Sequence, residues 1–289
     1  MRPIAWLACC SLLIPAFAFA QATYQPMPAV KAPASPGGGG VQQTGQVVPV
    51  SAAKPLPPDE ATLLHLEGWE GAMKKVDTFY AAATKSSKDT LKKIDKVSDA
   101  TMWIMKPNYV RFDLTAPPLK QGDARALELS SVSNGKTLYM YDVKDRTRTA
   151  VNLGTSGTGN MLLLEFLVGM SVKQVTDRFN VKTIQSDEDF VYLQMDAVKA
   201  EDKEVFNTAV LCLCGAKFKE RAYVPRRIAL DYAQQKDTWD FPDPKVNPKG
   251  IELKTFDLPP LPKGWKEETV DLKKPSGNLL ERKLPETKK

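Results

Sequence analysis

The sequence predicts a mainly β fold of the α+β class. It is an antiparallel meander of about ten strands with one apolar concave face, an N-terminal helix and one short helical interruption. Three observations carry this reading. Short alternating stretches recur from Val76 to Phe256, joined by turns too brief to hold crossover helices. Thr101–Leu114 reads as two strands hinged at Lys106-Pro107-Asn108, with Met102 and Ile104 before the hinge and Val110, Phe112 and Leu114 after it on one face. Finally, the only long amphipathic stretch, Asp59–Lys75, stands ahead of all the strands.

Residues 1–20 have the form of a secretory signal peptide: Arg2, an apolar core from Ile4 to Phe19, and Ala18-Phe19-Ala20 before Gln21. The core is too short and too interrupted by Pro15 to span a membrane. Leu7-Ala8-Cys9 offers a rival reading, lipidation at Cys9. Either way the chain is exported, and a periplasmic location is expected.

Residues 21–58 are rich in Pro, Ala and Gly and hold too few large apolar groups for a core, so a disordered linker is expected there. Gly37–Gly40 has no strand before it and no helix directly after it, unlike a phosphate cradle. The folded domain is expected over 59–265 and a flexible charged tail over 266–289.

Asp59 caps the first helix, whose Leu63, Leu66, Trp69, Met73 and Val76 form an apolar stripe suited to covering the sheet. Strands are expected at 79–84 and 91–105, with a polar turn at Lys85–Asp89 between them. Leu127–Ser133 leads into Asn134-Gly135, a hairpin signal, and Thr137–Tyr141 and Arg146–Leu153 follow. Further strands are expected at 179–185, 190–195, 205–213, 224–232, 238–241 and 251–256. The meander breaks at the glycine-rich loop Gly154–Gly159, after which 160–170 is apolar at almost every position and Ser171 caps a second short helix. Two readings stand for the first of these helices: a core plug, or a mobile lid over the apolar face.

Charge and chemistry narrow the function. The formal charge is +6, but Lys and Arg alternate with Asp and Glu almost everywhere, so no basic stripe for nucleic acid forms. The single histidine, His65, lies in the first helix, and no Gly-x-Ser-x-Gly elbow or Ser-His-Asp set can be built around it. Cys212 and Cys214 share a strand face and are open to three readings: buried hydrophobes, a local disulfide, or a redox or metal pair. Asp187-Glu188-Asp189 reads as an acidic hairpin turn and falls short of a calcium ligand set. No catalytic group, cofactor or metal site is expected.

Taken in order, Val76–Lys85, Trp103–Asn108, Ser133–Asp142, Glu188–Leu193 and the closing Phe256–Gly264 resemble the LolA-like superfamily of periplasmic lipoprotein carriers (LolA/LolB/RseB-like fold). Pro225 and the region of Trp239 are more similar to its uncharacterised planctomycete-type branch. The resemblance implies an incomplete antiparallel β-barrel closed by helices around a hydrophobic cavity. It places Val110, Phe112 and Leu114 as cavity-lining ligand contacts and Lys106 at lid control. Met102 and Ile104 on the same face are read with the ligand contacts, and Leu163, Phe166 and Leu167 of the apolar stretch with lid control. Plain packing of Met102, Ile104, Val110, Phe112 and Leu114 against the two helices is the alternative. Lys106 stands where the family carries an arginine, a point charge in place of a bidentate fork. Longer segments at 115–126 and 199–222 have no counterpart in the pattern.

The implied activity is that of a monomeric, non-catalytic carrier of lipid or lipoprotein acyl chains. The alternative is an envelope sensor or scaffold of the same fold that binds protein partners, with residues 21–58 tethering the domain.

Overall fold

The computed structural model describes residues 55–89, 91, 93–116, 126–153, 162–203 and 206–270. The signal peptide, most of the linker, the Gly154–Gly159 loop and the end of the tail lie outside them. Helix α1 spans Glu60–Lys74, and the Asp59 carboxylate accepts from Thr62 N at 2.7 Å, satisfying one of the orphan amides of the first turn.

Among the described residues thirteen strands form one sheet. The first meander comprises β1 (Thr78–Asp89), β2 (Ile94–Met105), β3 (Tyr109–Thr115), β4 (Leu127–Asn134), β5 (Thr137–Asp142) and β6 (Thr147–Asn152). The second comprises β7 (Phe179–Ser186), β8 (Phe190–Ala197), β9 (Thr208–Cys214), β10 (Pro225–Asp231) and β11 (Gln235–Asp240). The two-residue β12 (Lys245–Val246) pairs with β1, and β13 (Lys266–Val270) runs parallel to β6. β11 pairs antiparallel with β1, so the two meanders fuse into the order β13-β6-β5-β4-β3-β2-β1-β11-β10-β9-β8-β7. The sheet does not close: β7 lies at one edge and β13 beside β6 at the other. This is the incomplete barrel that the resemblance implied.

That topology fixes where the helical interruption goes. β6 and β7 are consecutive strands near opposite edges, so the chain between them must cross the inner face. It does so as α2 (Leu162–Val168) and α3 (Val172–Thr176), the latter closed by a capping box of Ser171 and Gln174. Inner-face side chains of the sheet, the α1 stripe (Leu66, Trp69, Met73) and α2 form one apolar cluster.

Several elements differ from the sequence-based expectation. Lys85–Asp89 is strand rather than turn: β1 stays paired to β2 through Asp89 and to β11 from Thr84 to Asp89, and two flanking ladders outweigh polar composition. Leu91 consequently falls in the turn, exposed. Residues 251–256 are not a strand; Leu253–Phe256 is a short 3-10 helix that buries only Phe256. The tail from residue 266 begins with β13, which extends the sheet through main-chain pairing although its side chains give no apolar pattern. The segment 199–222 contributes a short helix α4 (Ala200–Lys203) and a 3-10 turn at Ala216–Arg221.

Ahead of β13 the C-terminal segment doubles back over the outer face of β3–β5. Tyr109 stacks near Phe256 (5.6 Å), Tyr141 Oη donates to Pro259 O (2.8 Å), and Trp265 packs on Tyr141 (6.3 Å). This explains why β4 and β5 bury residues on both faces, Val132 and Tyr141 outward and Ser131, Ser133 and Leu138 inward. Replacing Phe256 by Ala should therefore cost about 3 kcal/mol in urea unfolding, as for a core aromatic rather than a surface loop.

Candidate functional site

The inner face is assembled by register. β2 and β3 pair Ile104 with Val110, Met102 with Phe112 and Ala100 with Leu114. All five expected cavity residues therefore share one face. Met102, Ile104, Val110 and Phe112 are buried, and Leu114 packs at the margin of the same cluster.

The expected lid residues Leu163, Phe166 and Leu167 are all buried and belong to the same apolar cluster. Phe166 lies 6.3 Å from the Trp69 ring of α1 and 6.4 Å from Phe179 of β7. In this state the floor is covered by the chain's own side chains. Two buried donors in this region, Trp69 Nε1 and Ser131 Oγ, have no hydrogen-bond partner among the described residues. A buried polar group left so costs roughly 1–3 kcal/mol.

Apolar burial holds α2 and α3, and polar contacts at their ends add direction to it. Glu70 of α1 accepts from Val172 N at the start of α3 (2.8 Å) and pairs with Lys74 (2.6 Å). The Lys74 contact and then the Val172 bond keep its carboxyl below the usual range. Lys106 donates Nζ to Met73 O at the end of α1 (2.6 Å); burial lowers its pKa, offset in part by Asp77.

Between these ties lies a cleft of about 210 Å³ lined by Glu70, Met73, Lys106, Val168, Gly169 and Gln174, among others. It is smaller than the roughly 300–1,000 Å³ of ordinary ligand sites. Gly169 joins α2 to α3 with φ +93°, and a Cβ there would lie 2.4 Å from Met73 Cβ. Only glycine permits both the turn and the approach to α1.

The middle of α2 is fixed by a charge cluster that sequence reasoning missed. Arg178 contacts Glu165 Oε2 (2.8 Å) and Asp202 Oδ1 (2.5 Å) and stacks on Phe179. Burial pushes the Glu165 carboxyl up, and Arg178 offsets that shift. The signal was present: Glu165 is the one charge in an otherwise apolar helix, which obliges a cation to meet it.

The remaining candidates resolve simply. Cys212 and Cys214 are free buried thiols on the outer side of β9, and burial pushes the Cys212 thiol up to about 12, far from a reactive thiolate. Asp187 Oδ1 accepts from the backbone of Asp189 (2.9 Å) and Phe190 (2.8 Å), which makes the acidic loop a self-capped turn. No group of three or more metal-ligating side chains is gathered among the described residues. His65 Nδ1 lies 3.3 Å from Tyr223 Oη.

No family model matches the sequence and no curated protein matches it. Solved structures do align. An uncharacterised conserved protein from Thermus thermophilus matches at 10% identity over 73% of this chain and 99% of its own, with a TM-score of 0.42. Lipoprotein LppX from Mycobacterium tuberculosis matches at 13% over 67% and 100%, TM-score 0.40. A LolA superfamily protein from Nitrosomonas europaea matches at 12% over 68% and 97%, TM-score 0.36. Superpositions this loose carry no argument, and the site reading rests on its own geometry.

Two outcomes test the ties. Arg178→Met leaves two acids facing each other without their cation and should cost about 3 kcal/mol in urea unfolding, whereas Glu165→Gln should cost under about 1 kcal/mol because Asp202 still neutralises Arg178. Gly169→Ala should lose roughly 1–3 kcal/mol from strain and overlap at Met73.

Proposed function

We propose that this chain is an exported, non-catalytic carrier that holds a lipid or lipoprotein acyl chain against Met102, Ile104, Val110, Phe112 and Leu114. In this reading α2 moves aside, and Leu163, Phe166 and Leu167 are the side chains the guest replaces. Lys106 is the latch that steadies the end of α1 beside the hinge at Gly169. The observation that carries the proposal is the nature of the cover. The inner face is roofed by a short segment that crosses between strands near opposite edges, turns on a glycine, and is tied by a few polar contacts rather than by strand ladders.

The energetics suit reversible loading. An acyl chain of about 16 carbons gains roughly 10 kcal/mol or more on leaving water, at about 0.8 kcal/mol per methylene. Most of that gain is offset when the lid side chains lose their own burial. Net affinity is then a difference between two similar terms, which permits release as well as capture.

Native mass spectrometry of protein recovered from an exporting bacterial host should show a bound lipid and an N-terminus at Gln21. A fluorescent fatty acid should load into stripped protein, and Phe166→Ala, which weakens the lid's packing by about 3 kcal/mol, should load it several-fold faster. Absence of bound lipid together with no uptake would end the carrier reading. Crosslinking to a protein partner in that case would favour the sensor or scaffold role.

A further inference from the structure

The inner face is not uniform along the strands. Across β1, β2 and β3 its successive rows read Ala81-Met102-Phe112, then Ala83-Ala100-Leu114. The next row, where Lys85 stands opposite both Ser98 of β2 and Trp239 of β11, is polar apart from Trp239. Beyond it Ser98 Oγ donates to Glu128, which also pairs with Lys96 (2.6 Å). The apolar floor therefore stops at a polar wall.

Trp239 marks that boundary. Its strand is separated from β3 by β1 and β2, which sets the β11 and β3 backbones about 14 Å apart at ~4.8 Å per strand. Yet the Trp239 and Phe112 rings lie 5.6 Å apart, edge to face. The two side chains meet across β1 and β2, and the alanines at 81, 83 and 100 leave room above the sheet for them to do so.

The indole is also fastened from behind. Lys85 Nζ sits 5.0 Å from its ring centroid and 2.7 Å from Asp237 Oδ2, while Gln235 Nε2 donates to Asp237 Oδ1 (2.9 Å). Asp237 is fully buried, an expensive placement for a carboxylate unless its cation is held close.

These parts differ in kind from the lid. Leu163, Phe166 and Leu167 ride on α2 and leave with it; Trp239, Lys85 and Asp237 belong to paired strands and stay. We infer that Trp239, backed by the Lys85–Asp237 pair, is the end stop of the trough and sets the longest saturated acyl chain it accepts. This rests on the carrier reading. The tail of the guest runs from the Lys106 cleft along Ile104, Met102 and Phe112 and halts at the indole. The lid side chains that it replaces amount to roughly fifteen carbons, and close packing asks for a guest of similar volume.

The test is displacement of a fluorescent fatty acid by a series of saturated fatty acids from medium to very long chain. For the wild type, affinity should rise about fourfold per added methylene and then level off. Trp239→Ala should move that plateau to chains several methylenes longer, and Trp239→Phe should move it less. Circular dichroism and urea midpoints establish that each variant is folded, and Trp239→Phe serves if the alanine variant is not. A plateau unmoved in a folded variant overturns the end stop while leaving the carrier reading intact. A wild type that takes up no fatty acid at all overturns both.

Discussion

The architecture depends on one topological constraint: consecutive strands near opposite edges of an unclosed sheet. A chain leaving β6 can reach β7 only by crossing the face between them, and that face is where the apolar side chains point. The hydrophobic effect then makes the crossing segment a cover, since no other disposition removes so much apolar surface from water at once. α1 supplies the rest of the roof. What in most β proteins is done by a second sheet is done here by two helices of seven and five residues and one of fifteen.

Short helices of that kind are poor at holding themselves, because nucleation is costly and few residues share it. Their position is set by core burial together with directed contacts: Glu70 to the Val172 amide, Lys106 to the Met73 carbonyl of α1, and Arg178 between Glu165 and Asp202. These are the interactions whose strength falls when water enters, since each was formed partly out of solvent. The floor has no such sensitivity, being locked by ladders on both sides of every strand from β6 to β8. The molecule thus combines a stiff, ladder-paired wall with a roof held by side-chain burial and a few polar contacts.

Much of this was legible in the residues. Alternation in Tyr109–Leu114 placed Val110, Phe112 and Leu114 on one face, and the Asp59 cap and the Asn134-Gly135 turn fell where their chemistry predicted. Other features were hidden for physical reasons. The strand through Lys85–Asp89 is written by its neighbours, not by its own composition, because ladder pairing on two sides is a property of remote sequence. β13 has no apolar period to reveal it, since an edge strand with exposed side chains leaves no burial signal. Glu165 is a lone charge in an apolar helix, whereas Asp237 sits in a polar run that gives no sign of its burial. Naming Arg178 and Lys85 as their partners required knowing which elements lie side by side.

The parallel strand at the C-terminal edge has a bearing on how such a molecule survives in company. A curved sheet that fails to close offers a free row of amides and carbonyls to any other extended chain. Here the β6 side of the opening is sealed by a segment whose exposed Lys266, Glu267 and Glu268 repel further stacking, with Glu267 anchored to Arg148 at 2.9 Å. The chain thereby places charged side chains along one rim of its own opening, where an apolar edge would invite another extended chain.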